Sequence, residues 1–268
     1  MATEDLLQEL EALKSRTIET DKDYFEAEKA LSKICDPLYN NWDLLTAPVL
    51  DALTDIAMNS PHRDIHEARR SDVRQDSPQD PAHQFCLRTL RTFRSLASPQ
   101  NREAVIRQLE KIASESDSFD LRFNAVGQIG GLSYMVNDPP QNRAIAFAAL
   151  ERLGDNNSDP LIRTIARDDM LPAAKEDKNF VARAMAAQIK GTEDEDAEAR
   201  TRATALLTNR VQSPSCSTEE VISLLHVFKN VADRTPFSEI DTLYYAANGL
   251  TKAAARLKTG VTTQWSWP

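Results

Sequence analysis

Pro99-Gln100-Asn101-Arg102 returns as Pro140-Gln141-Asn142-Arg143, displaced by 41 residues. The residues that follow each copy align as well. Leu109-Glu110-Lys111-Ile112 matches Leu150-Glu151-Arg152-Leu153, apolar on apolar, acid on acid and base on base. A period near 40 in a sequence patterned for helices means stacked two-helix units, none of which buries its apolar face alone. The recurrence therefore predicts an all-α superhelix, an α-solenoid, in which neighbouring pairs cover one another.

Working outward from this pair, helical spacing of apolar residues places helices at about 84–97, 101–114, 119–134, 141–153, 160–171, 176–190, 197–211, 218–232 and 238–257. Three more precede them. The first runs from Thr3 to Ser15 on Leu6, Leu7, Leu10 and Leu13. The second runs from Thr20 to Cys35 and is expected to stop at Asp36-Pro37. The third runs from about Asp43 to Met58, with Pro48 tolerated in its first turns. Thr20-x-x-Asp23 and Ser217-x-x-Glu220 have the spacing of capping boxes, and Asp159-Pro160 and Thr235-Pro236 read as N-cap and first-turn pairs. Residues 60–82 carry Pro61, Pro78 and Pro81, many charges, and only Ile65 and Val73 as large aliphatics, so they read as a charged loop. The division is then 1–59, N-terminal helices; 60–82, loop; 83–258, helical repeats; 259–268, a tail carrying Trp265 and Trp267.

Composition agrees with helices and narrows the partners. Glycine is scarce, at 7 of 268 residues, which disfavours a glycine-punctuated sheet fold. No stretch approaches the roughly 20 apolar residues of a membrane span. Cys35, Cys86 and Cys216 are distant and odd in number, so a reducing, cytoplasmic setting without disulfides is expected. The formal charge of -9 argues against nucleic acid or an anionic membrane as the general partner. The charge is uneven: residues 1–59 hold 13 acids and 5 bases, whereas 84–111 hold 6 bases and 2 acids.

A second signature runs through alternate helices. Leu87-Arg88, Leu121-Arg122, Ile162-Arg163 and Ala199-Arg200 each stand near a helix start, and Ala125, Ala166 and Ala203 follow the last three arginines by three residues. Acidic turns precede them: Asp117 and Asp120, Asp155 and Asp159, Asp194 and Asp196. This pattern resembles the second helix of a HEAT repeat over about residues 84–232, with a further pair at 218–257. The sequence departs from it at Arg91, where the first copy lacks the small residue, and at Asp241-Thr242, where the last lacks the arginine. The resemblance implies about five helix pairs plus the two N-terminal helices, with 43–59 pairing with 84–97 across the loop. It also implies a concave face lined by second helices that holds a partner. The residues so placed are Arg88, Arg91, Arg94, Arg122, Asn124, Gln128, Arg163, Arg167, Arg200 and Asn209. In such repeats the leading arginine often pairs with a turn aspartate of the neighbouring repeat. Arg122, Arg163 and Arg200 are therefore expected in a structural ladder, and Arg88, Arg91, Arg94, Asn124, Gln128 and Arg167 at the partner surface.

Chemistry is sparse. His62 and His66 at i, i+4, with His83 further on, are the one grouping of metal-ligand types, and Pro61, Arg63, Arg69 and Arg70 crowd them. Deoxyhypusine hydroxylases, a HEAT-like family, hold two irons through repeated His-Glu pairs; here only His66-Glu67 occurs. HEAT-like DNA glycosylases use a basic groove with aromatic residues, but an aromatic content of 6% fits them poorly. Neither metal nor cofactor is expected. Asp168-Asp169 reads as solvation at a helix end or turn. Trp265 and Trp267 are costly to expose and are expected to cap the last helix pair of their own chain, over Ile240, Leu243, Tyr244 and Leu250. The expected role is a protein-binding scaffold, and the alternative is an enzyme acting on a small molecule held in the groove.

Overall fold

The reason neighbouring helices stack is visible in what each one buries. The computed structural model describes residues 3–59, 80–133, 140–174 and 177–264. Among them it shows twelve α-helices and no strand. These are α1 (Thr3–Lys14), α2 (Asp21–Asn40), α3 (Ala47–Met58), α4 (Pro81–Leu96), α5 (Arg102–Glu115) and α6 (Phe119–Ser133). They continue as α7 (Pro140–Asn156), α8 (Pro160–Ala174), α9 (Lys178–Gly191), α10 (Ala197–Gln212), α11 (Thr218–Arg234) and α12 (Ile240–Gln264). A single 3-10 turn, Trp42–Leu44, precedes α3. The chain divides into two compact units, Met1–Leu153 and Gly154–Pro268.

In the first unit α1 packs on α2 and α3, α3 on α4 and α5, and α5 on α6. The second members also touch in series, α2 against α4 and α4 against α6. Odd helices thus form one layer and even helices the other. The third helix pairs with the helix beyond residues 60–79, as the repeat reading expects. The two N-terminal helices repeat the same arrangement and form a pair of their own. Leu6, Leu10, Leu31, Leu53, Leu90, Phe93 and Ile106 are fully buried between the layers. In the second unit α8 packs on α9 and α10, α10 on α11 and α12, and α11 on α12. Its core gathers Met185, Leu207, Val211, Cys216, Val221, Leu224, Phe228 and Ala253. Gly249 makes the last contact possible, because a Cβ there would stand 2.7 Å from the Phe228 ring.

The capping signals act as read. Thr20 and Asp23 bond reciprocally at the start of α2, as do Ser217 and Glu220 at the start of α11. The Asp159 carboxylate accepts from the Leu161 amide at 2.9 Å. Three boundary readings are corrected. α2 runs through Pro37 to Asn40, and α8 runs through Pro172 to Ala174. Burial of Leu38 in one case, and of Ala173 and Ala174 in the other, offsets the lost backbone bond. Thr235 caps the end of α11 instead of starting α12, which begins at Ile240 after a Pro236–Glu239 turn. The expected loop overlaps α4 at Pro81 and Ala82, with Asp80 as the N-cap; residues 60–79, including His62 and His66, lie outside the described residues.

Candidate functional site

Three of the four apolar-Arg starts open a local motif. The guanidinium reaches back to the carbonyl six residues earlier: Arg122 Nη1 donates to Ser116 O at 2.7 Å, Arg163 to Asn157 O at 2.9 Å, and Arg200 to Asp194 O at 2.6 Å. The residue at that same position accepts, through its side chain, the amide two residues on. Ser116 takes Ser118, Asn157 takes Asp159 and Asp194 takes Asp196. Ser118, Asp159 and Asp196 in turn cap the following helix. The turn is therefore fastened from both sides, and its free backbone groups are satisfied.

In the second unit the motif extends into an ion-pair ladder. Arg163 meets Asp194 through two bonds, Nη2 to Oδ1 at 2.6 Å and Nε to Oδ2 at 3.0 Å. Arg200 meets Glu239 at 2.5 Å. Arg163 and Arg200 thus take the ladder role expected of them. Arg167, placed by sequence among the partner-facing residues, belongs here as well. It is 3% exposed, and its Nη1 donates to Asp194 Oδ2 at 3.0 Å. One carboxylate holds two arginines from successive turns of α8. Burial pushes the Asp194 carboxyl up, but the bonds from Arg163 and Arg167 prevail and hold it at about 2. The sequence signal for Arg167 was available: it stands four residues after Arg163, on the same helical face.

α4 treats its arginines differently. Arg88 has one partner, Glu28 of α2 at 2.9 Å, and stays half-exposed. Arg91 and Arg94 are exposed on α4. The Arg94 guanidinium lies over Gly131 of α6, where a Cβ would come within 3.0 Å of Nη1. Asn124 and Gln128 are half-buried on α6, and Asn124 donates to Asp120 O at 2.7 Å. The even-helix layer gathers these residues: Glu28 on α2, three arginines on α4, Asn124 and Gln128 on α6. Exposed Phe25 on α2 and Phe123 on α6 complete the set. Sequence reading missed Glu28 and both phenylalanines, because a large apolar residue inside a helical period reads as core.

Titratable groups outside the ladder are few. Asp168 and Asp169 sit inside α8, not at its end, which corrects the reading of them as turn solvation. Burial raises both carboxyls to about 6, although Arg202 Nε stands 3.5 Å from Asp168 and Gln188 Nε2 donates to it at 3.4 Å. Burial also pushes the Cys35 and Cys86 thiols up to about 12, which leaves them poor nucleophiles. His83 stands 3.6 Å from an Asp120 carboxylate oxygen. No group of three potential metal ligands occurs among the described residues.

Two concavities belong to the second unit. One, of about 400 Å³, lies along the ladder between Asp194, Arg200, Arg234 and Glu239, whose charges are committed to bonds. The other, of about 860 Å³, is an apolar groove between α9 and α11 lined by Val181, Met185, Ile189 and Leu224. No helix among the described residues is long and apolar enough to cross a membrane. The chain matches no protein-family model and no curated protein sequence.

Proposed function

We propose that the protein is a HEAT-like scaffold that binds another protein through the even-helix layer of its first unit. The observation that carries this reading is the contrast in arginine use. Arg91 and Arg94 are left in solvent, whereas Arg163 and Arg167 are buried in ion pairs. Exposed arginines and exposed aromatics on one helix layer match the composition of interface hot spots. Arg88, Asn124 and Gln128 would supply polar contacts around them. The charge of the patch favours an acidic segment as the partner's contact. The HEAT-like assignment is supported by the turn motif, which repeats at Arg122, Arg163 and Arg200 with the same six-residue reach.

The test is affinity capture from native extract, with quantitative mass spectrometry of wild type against Arg91→Glu/Arg94→Glu. A partner held by wild type and lost from the variant supports the reading. A set of captured proteins indifferent to the substitutions refutes it. The enzyme alternative draws on one observation, the two part-buried carboxylates of Asp168 and Asp169. Their shifted titration would suit acid–base work on a bound small molecule. Substrate-dependent changes in the titration of these two groups, followed by carboxyl-carbon NMR during a metabolite screen, would favour it over the scaffold.

A further inference from the structure

α12 is tightly seated on one side and uncovered on the other. Thr242, Ala246, Gly249 and Ala253 are buried against α10 and α11. The opposite face runs through Ile240, Tyr244, Ala247, Thr251, Ala254 and Lys258, all exposed. Its first end is strongly apolar: Phe237 is 93% exposed, Ile240 72% and Tyr244 61%. Phe237 stands in the turn just before the helix, and Ile240 and Tyr244 lie at i, i+4 in its first turns; exposed large apolar side chains of this kind mark contact surfaces.

Trp265 and Trp267 follow α12, which ends at Gln264. Trp265 and Trp267, expected from sequence to cover this end, lie outside the described residues. Leu243 and Leu250, also expected beneath them, are partly covered already, and Leu250 packs on the core of the second unit.

We propose that this face joins two copies of the chain, α12 against α12, antiparallel about a two-fold axis near Thr251. Charge selects the direction. Asp241 is exposed at the start of the helix and Lys258 near its end. Antiparallel pairing brings Asp241 of one copy within about a turn of Lys258 of the other, and it opposes the two helix dipoles. Parallel pairing would set like charges side by side. Shape agrees. Ala247, Thr251 and Ala254 leave the middle of the face low, so the helices approach closely where they cross. The bulky end then meets the far end of the partner helix. Tyr244 falls opposite Lys258, whose aliphatic stem and ammonium both suit an aromatic ring. An isologous contact uses each feature twice. A single helix face about 27 Å long, from Ile240 to Lys258, is small for a permanent dimer, so association is expected at roughly micromolar concentration.

Sedimentation velocity of the full chain across about 1–200 µM tests this. The expected result is a rise from the 30.0 kDa monomer toward twice that mass. Ile240→Glu with Tyr244→Glu should remain monomeric throughout, with unchanged circular dichroism and melting. Thr251→Cys should give an oxidised, cross-linked dimer, because Cys35, Cys86 and Cys216 are buried and do not compete. A wild type monomeric at every concentration overturns the proposal. So does a dimer that survives the double substitution. A dimer lost on that substitution, but with no Thr251→Cys cross-link, overturns the antiparallel register.

Discussion

Arginines on even-numbered helices meet two different fates. In the second unit Arg163 and Arg167 lie in the interior and share Asp194, and Arg200 is fastened to Glu239 and to two turn carbonyls. In the first unit Arg88 holds one glutamate at the surface, and Arg91 and Arg94 stand in solvent. The residue type is the same and the environment decides its work. Buried, a guanidinium has to be paired and its partner becomes indispensable. Exposed, the same group contributes little to stability and is free to meet another molecule.

The comparison breaks most sharply at Asp194. Asp194→Ala leaves two buried guanidinium groups without their carboxylate, and should cost about 3–5 kcal/mol. Thermal melting should fall by roughly ten degrees. A loss no larger than that of a surface substitution would show that the buried ladder is not holding the second unit. Glu239→Ala removes the outer rung, which is less buried, and should cost about 1–2 kcal/mol by denaturant titration. If the two substitutions prove equal, burial does not grade the rungs.

Acidity separates the two kinds of buried carboxylate. Asp168 and Asp169 have folded values near 6, above their ordinary 3.8, so the folded state binds the extra protons. Stability from these two groups is therefore greatest below about pH 4 and declines as pH rises through 6, by up to about 3 kcal/mol each. Asp194, held at about 2, behaves in the opposite sense: its contribution is present above pH 4 and is lost as pH falls toward 2. Melting curves between pH 4 and 7 should flatten in Asp168→Asn/Asp169→Asn and keep their shape in Glu239→Ala. A double variant with an unaltered pH profile would remove these two carboxylates from the account.

The smallest expected effect lies in the first unit. Arg91→Glu/Arg94→Glu should change stability by no more than about 0.5 kcal/mol per position. A melting temperature lowered by many degrees would mean that Arg94 over Gly131 is a packing contact, and the contrast between the units would collapse.

Period and punctuation alone determined the helical architecture. The Pro-Gln-Asn-Arg recurrence, the apolar spacing and the two capping boxes placed most helices within a few residues of their observed bounds, because these signals act locally along the chain. The ladder roles of Arg163 and Arg200 were legible too, since each arginine stands at a fixed distance from its own turn. Tertiary structure decided the rest. Pro37 and Pro172 continue their helices because Leu38, Ala173 and Ala174 are buried by other elements, and no local rule contains that burial. Arg167 joined the ladder because Asp194, 27 residues away, offered a second oxygen. Phe25, Phe123, Ile240 and Tyr244 carry the same apolar signal as core residues. Only the packing of neighbouring helices shows which faces were left in water, because exposure is a property of the assembled layers and not of the chain.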